Sequence, residues 1–318
     1  MDLRIFTEPQ QGASHADLLA VAQATRSAGF SAFFRSDHLL AMGGGTGLPG
    51  PSDSIASLAA LAAQVPDIRF GTLVTAATFR HPSMLAIGAA TIDDISGGRL
   101  DLGMGAGWFD AEHKAYGINF GTSFGERFDR LTEQLEILTG LWATPIGETF
   151  SHHGRHFDLT DAPGLPKPIQ RDLAGRPKVP LVLGGRGPKR TPALAARFAD
   201  DFNVGFADLE AVTVSHDRVR TACTAIDRDP GEIVYSVALP VCCGRTPAEL
   251  ATRAAAIGRD VEDLRENGFA GSPAEIVDKL GTFAAAGTQR AYLQVLDLAD
   301  TDHVALLGAD VLPHVAAL

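Results

Sequence analysis

Residues 33–40 read Phe33-Phe34-Arg35-Ser36-Asp37-His38-Leu39-Leu40. A short apolar run, the pattern of a buried strand, stops at a carboxylate beside an imidazole. Aspartate accepts hydrogen bonds and histidine titrates near neutrality, so Asp37 and His38 could hold and move a proton. Parallel α/β proteins bind ligands at the carboxyl ends of their strands, where this pair would stand. A plainer account also fits, with Asp37 capping the next turn and His38 a satisfied buried ring.

Two glycine-rich stretches add binding chemistry. Gly103-Met104-Gly105-Ala106-Gly107 ends another apolar run and leads into Trp108. Its spacing and its place late in the chain do not fit a dinucleotide fingerprint. Bare backbone there would let a flat ligand approach closely, with Trp108 as a wall, unless the stretch is only a tight turn. Gly184-Gly185-Arg186-Gly187-Pro188-Lys189-Arg190 puts exposed N–H groups and cations where a helix should begin, a ready site for phosphate.

These groups need elements to carry them. Strands are expected at Leu3–Phe6, Ser31–Phe34, Ile68–Thr75, Arg99–Met104, Pro180–Leu183, Asp201–Val204, Ile233–Val241 and Arg290–Leu296. Helical spacing lies between them: 14–28 ending at Gly29, 52–64, 82–96, 124–142, then 189–199, 209–227 and 302–315. Leu131, Leu135, Leu138 and Leu141 mark the inward face of the long helix. Eight strands alternating with helices predict a (β/α)8 TIM barrel, one domain over 1–318. An insertion at 143–179, with a small hairpin around His152–Arg155, and extra helices at 246–287 interrupt the alternation. The glycine-rich run 41–51 reads as a flexible loop beside the site.

Composition bounds the function. The 318 residues are 45% hydrophobic and 20% charged, with formal net charge −11 and pI near 5.3. That argues against nucleic acid and anionic membranes as partners. No apolar run is long enough to span a bilayer, and Met1–Phe6 reads as a strand rather than a signal peptide, so a cytoplasmic protein is expected. Three cysteines make neither a disulfide framework nor a zinc site, and no metal is expected. His152 and His153 read as loop histidines, Cys242-Cys243 as buried thiols, and 259–266 as a solvated helix face. Asp297, at a strand end, is a further candidate to line the site.

In combination the motifs resemble the bacterial luciferase-like superfamily, and within it the coenzyme F420-dependent oxidoreductases. The carriers are 36–38, 71–82, 97–108 and 184–188, in order along nearly the whole chain. The resemblance implies a luciferase-like barrel holding a deazaflavin or flavin ring at its carboxyl face. It also implies a non-prolyl cis peptide at Leu73-Val74 behind the ring, and phosphate held by Gly184, Gly185, Arg186 and Gly187, with Lys189 beside them.

On that basis His38 and Asp37 are the catalytic candidates: His38 as acid/base, Asp37 as hydrogen-bond partner to the ring edge. Leu73, Val74, Thr75, Gly105, Ala106, Gly107 and Trp108 would line the cofactor. The implied activity is hydride transfer between F420 and a small organic substrate. An FMNH2-dependent monooxygenase and a non-catalytic flavin-binding protein are the alternatives. A homodimer and a separate F420- or flavin-reducing enzyme are the implied partners. The family's F420-dependent glucose-6-phosphate dehydrogenases carry a glutamate after the Gly-x-Gly where this chain has Trp108, which argues against sugar oxidation by the same mechanism. Glu112 lies close by and takes no role from the resemblance.

Overall fold

The computed structural model describes residues 1–43 and 45–316; Gly44 of the glycine-rich run lies outside them. Eight strands form the barrel: β1 (Asp2–Thr7), β2 (Ala32–Arg35), β3 (Arg69–Thr72), β4 (Leu100–Gly105), β5 (Leu181–Gly184), β6 (Asp201–Gly205), β7 (Val234–Cys243) and β8 (Arg290–Val295). Each pairs in parallel with the next. β8 returns to β1 in the register Asp2↔Arg290 to Thr7↔Val295, which closes the cylinder. Helices cover the outside, so the strands are buried on both faces and read as continuous apolar runs rather than alternations. This is the (β/α)8 barrel expected from the sequence.

Local chemistry sets the helix ends. Ser14 and Asp17 form a reciprocal capping box before helix 15–27, and Asp53 caps helix 54–64. His81 with Pro82 opens helix 82–96, which stops at Gly97 in the left-handed conformation.

The barrel is plugged. At its amino end Arg4 donates to Asp101 (2.7 Å), and Asp201 accepts from Arg290 (2.6 Å) and from Tyr292 Oη (2.7 Å). Burial works against the charge on Asp2, yet Arg4 and Arg290 hold its carboxyl down at about 2. Above this layer Phe6, Phe34, Val182, Ala238 and Tyr292 pack together with Leu73, and the Phe34 and Tyr292 rings meet edge-on at 4.9 Å. Among the described residues the barrel interior is therefore closed at its amino end and opens toward the carboxyl end.

Four local departures from the sequence reading stand out. The expected strand 68–75 breaks after Thr72, and only Thr75–Ala76 resumes pairing, with β4. A seven-residue helix, Asp110–Tyr116, follows Trp108; it is too short to show a period. Phe269–Gly271 is a short strand on the far end of β7. The last helix divides into Thr301–Asp310 and Leu312–Val315, where Pro313 cannot continue the first.

Within 143–179 the hairpin forms from Phe150–His153 and Asp158–Ala162. The stretch after it is tied to the barrel, with the Ile169 and Gln170 N–H groups donating to Asp93 at 2.8 and 3.0 Å.

Candidate active site

A cleft of about 410 Å³ lies at the carboxyl end of the barrel. It brings together Asp37, His38, Leu73, Val74, Gly105, Ala106, Gly107, Trp108, Gly184, Gly185, Arg186 and Gly187. Motifs separated by up to 150 residues thus meet in one place, because each sits just past a barrel strand.

Asp37 and His38 diverge. Successive side chains past a strand point to opposite sides. Asp37 turns inward, is buried, and accepts from Thr75 Oγ1 (2.5 Å) and from both Nη atoms of Arg80. Its oxygens are thus committed to protein donors. His38 turns toward the helix 110–116. Its Nδ1 lies 3.2 and 3.3 Å from the two carboxylate oxygens of Glu112, whose Oε2 also accepts the Leu39 N–H at 2.8 Å. Trp108 and Phe109 pack edge-on against the imidazole, with ring centroids 5.5 and 6.1 Å away.

The Leu73–Val74 peptide is cis, as the resemblance implied, and both residues face the cleft. The glycines opposite, of which Gly105 and Gly107 line the cleft, also serve an end not read in the sequence. A Cβ on Gly103 would sit 2.0 Å from Thr72 O, and one on Gly105 2.9 Å from Val74 Cγ2. They allow β4 to close against the chain at 72–74 and shape the wall. Thr75 does not line the cleft, because its hydroxyl is turned into Asp37 and it is buried.

The loop after β5 ends where helix 190–198 begins. Gly185 has φ +134°, a conformation open to glycine and strained for other residues. Arg186 is exposed and lines the cleft. Lys189 is exposed too, but its side chain falls outside the lining. Among the described residues neither has an ion-pair partner, whereas Arg190 is taken by Asp129 (2.5 Å) and by the Gly125 carbonyl (3.0 Å). Free cations beside a helix amino end make an anion site.

Beside the cleft runs a broader groove of about 1330 Å³, and Glu8, Trp108, Arg186 and Phe206 line both. Met42, Gly43 and Gly45 of the glycine-rich loop and Asp297 border this groove. Burial pushes the Glu8 carboxyl above the usual range, opposed by His38 and by the amides of Gln11, Gln294 and Gln10. Phe206 is 54% exposed with φ +53°, a rare backbone for an aromatic residue. Glu8, Glu112 and Phe206 lie outside the sequence motifs, and Arg80, inside the stretch 71–82, was given no role there. The signal for Glu8 is its place directly after β1, one step beyond the pair Thr7↔Arg35 and so level with Ser36 after β2.

The remaining groups have structural partners. His153 meets Asp158 at 2.6 Å and His152 faces Glu133 at 3.6 Å. Burial raises the Cys242 and Cys243 thiols to about 11 and 12. Among the described residues no cluster of His, Cys, Asp or Glu could hold a metal ion, and no helix is long and apolar enough to cross a membrane.

The model of the luciferase-like monooxygenase family matches residues 1–297. An F420-dependent glucose-6-phosphate dehydrogenase of Microbacterium testaceum is 33% identical over 191 residues, 58% of this chain and 51% of the relative. An FMNH(2)-dependent dimethylsulfone monooxygenase of Pseudomonas putida is 28% identical over 144 residues, 45% and 37% of the two chains. The chain thus spans about half or less of the length of these relatives. An F420-dependent secondary alcohol dehydrogenase, solved with an F420-acetone adduct, superposes with a TM-score of 0.81 at 19% identity, over 99% of this chain and 98% of its own. That likeness is one of fold.

Proposed function

The chain belongs to the luciferase-like monooxygenase family, and on that premise we propose that it is a coenzyme F420-dependent oxidoreductase acting on a small organic substrate. The observation that carries this reading is the place of the His38 imidazole, which lines the same cleft as Val74 and packs against Trp108. When bound, F420 supplies hydride exchange at the C5 of its deazaflavin. A hydride donor needs from the protein a position and a proton, and His38 gives or takes that proton.

The cleft suits such a group. Its volume is that of a small-ligand site, and Leu73, Val74, Ala76 and Ala106 give it an apolar wall. The Gly187 N–H, with the unpaired Arg186 side chain, would hold a phosphate at the helix amino end, while the Gly185 N–H is spent on the Asn203 carbonyl at 3.3 Å. The 33% identity to an F420-dependent dehydrogenase points the same way. FMN presents a related ring and a phosphate, and the FMNH(2)-dependent relative keeps a monooxygenase as the competing reading.

Fluorescence titration of the purified protein with F420 and, separately, with FMN tests this. Tight F420 and weak FMN binding is the expected result. Preference for FMN would replace the reading with the monooxygenase, and binding of neither would overturn both. His38→Ala should leave F420 affinity intact and slow the oxidation of chemically reduced F420 by cyclohex-2-enone. Equal loss of both would make His38 a structural residue.

A further inference from the structure

We infer that Glu112 is the positioning residue of His38, fixing its Nδ1–H tautomer and leaving Nε2 to face the cleft. The inference rests on the reading of His38 as the proton-transfer group. Asp37, the carboxylate next to His38 in sequence, is closed off by Arg80 and Thr75. Glu112 takes its place from the other side, across 74 residues of chain.

Three features make the contact specific. A carboxylate only accepts hydrogen bonds, so the ring nitrogen facing it must carry the proton. Glu112 is itself anchored, through the Leu39 N–H at 2.8 Å, to the backbone that carries His38. Its side chain is 1% exposed, so water does not compete for the oxygens. The imidazole is then gripped at Nδ1 and wedged by Trp108 and Phe109. Nε2, at the opposite side of the ring, has no protein partner among the described residues. A neutral His38 in this state presents a lone pair to the cleft, and a protonated one presents an N–H. The other tautomer would offer only a donor.

Glu112→Gln separates position from charge. The amide oxygen can still accept from Leu39, while the amide N–H2 meets Nδ1 and requires it to accept, so the ring proton moves to Nε2. The measurement is the ¹⁵N spectrum of histidine-labelled protein, with His38→Ala assigning the His38 signals. It needs neither cofactor nor substrate. Wild type should show a protonated Nδ1, Glu112→Gln a protonated Nε2, and Glu112→Asp the wild-type pattern. With chemically reduced F420 and cyclohex-2-enone, Glu112→Gln should lower turnover about 10–100-fold, as loss of an orienting partner does, with F420 affinity unchanged. In a His38→Ala background it should lower turnover no further.

An unchanged Nδ1 signal in Glu112→Gln would overturn the inference, as would an equal further loss on His38→Ala. Should Glu112→Gln not fold, a Glu112→Ala protein that keeps the His38 proton on Nδ1 would overturn it as well. A tautomer switch with turnover unchanged would leave the positioning intact and instead overturn the reading of His38 as the proton carrier.

Discussion

Arg80 closes on Asp37 with both Nη atoms, and one of them also reaches Asp53 Oδ2 at 2.5 Å. The Asp37 side chain has no exposure at all. Arg80 therefore ties the end of β2 to the amino cap of helix 54–64, and its own carbonyl accepts from Gln134 of the long helix at 2.9 Å. The acid of the Asp37-His38 pair is a structural clamp that holds the turn from which His38 projects.

Removing Arg80 leaves a buried carboxylate with Thr75 as its remaining side-chain donor. Breaking a buried pair on one side costs about 3–5 kcal/mol, since the stranded charge stays out of water. Arg80→Ala should lose roughly that much in urea unfolding, and Asp37→Asn in the Arg80→Ala background should recover part of it. An Arg80→Ala protein as stable as wild type would show that Asp37 reaches solvent.

The loop after β5 makes a separable prediction about ligand binding. Arg186 lines the cleft without a carboxylate partner, while Arg190, four residues on, is spent on Asp129. A hydrogen bond to a charged group contributes about 1.5–3 kcal/mol, so Arg186→Ala should weaken F420 or FMN binding by about 10–100-fold. The loss should shrink as salt is added. Arg190→Ala should have a much smaller effect on the same fluorescence titration. Equal effects from the two would remove Arg186 from the phosphate site.

The barrel was legible because its strands are largely apolar and most of its helices carry a cap or a glycine stop, signals that are local. The site was legible only where its parts are backbone or adjacent in sequence: the glycine loops, the Leu73-Val74 peptide and the residues after β2. Glu112 sits on a helix of seven residues, too brief for periodicity, and its partner lies 74 positions away. Arg80 follows a strand fragment that the cis peptide interrupts. Adjacency in sequence suggested that Asp37 and His38 act together; alternation past the strand end sends one inward and the other toward Trp108.

Two buried histidines should govern stability between neutral and mildly acid pH. Burial holds His216 and His303 down at about 4, against an ordinary value of 6.5. The Nε2 of His303 accepts the Cys243 N–H at 2.9 Å, and His216 has an unpartnered Nδ1. Both rings are thus neutral when folded. Between pH 6.5 and 4 the unfolded chain binds protons that the folded one refuses, so stability falls with pH by about 1.4 kcal/mol per unit for each ring. Glu8, raised above its ordinary value, works in the opposite sense. Asp2, held at about 2, adds its own loss only in the acid range below its ordinary value of 3.8. His303→Gln keeps an acceptor for Cys243 and should flatten the slope measured by urea unfolding across this window. An unaltered slope would mean that His303 protonates in place.

Phe206 sets backbone cost against ligand contact. It follows β6 at φ +53°, its N–H donates to Ala238 O at 2.9 Å, and its ring stands exposed between the cleft and the groove. The left-handed conformation costs a residue with a Cβ roughly 1–2 kcal/mol, and an exposed ring recovers little of it by packing. Strain of this kind gathers where a side chain must face a ligand. Phe206→Ala and Phe206→Gly both remove the ring, but only glycine also removes the backbone cost. Glycine should therefore be the more stable of the two by about 1 kcal/mol in urea unfolding, the reverse of their usual order. Both should bind F420 more weakly than wild type if the ring packs against the ligand. An alanine variant more stable than the glycine one would show that the backbone is free to leave this conformation, and F420 affinity equal to wild type in both would place the ring outside the site.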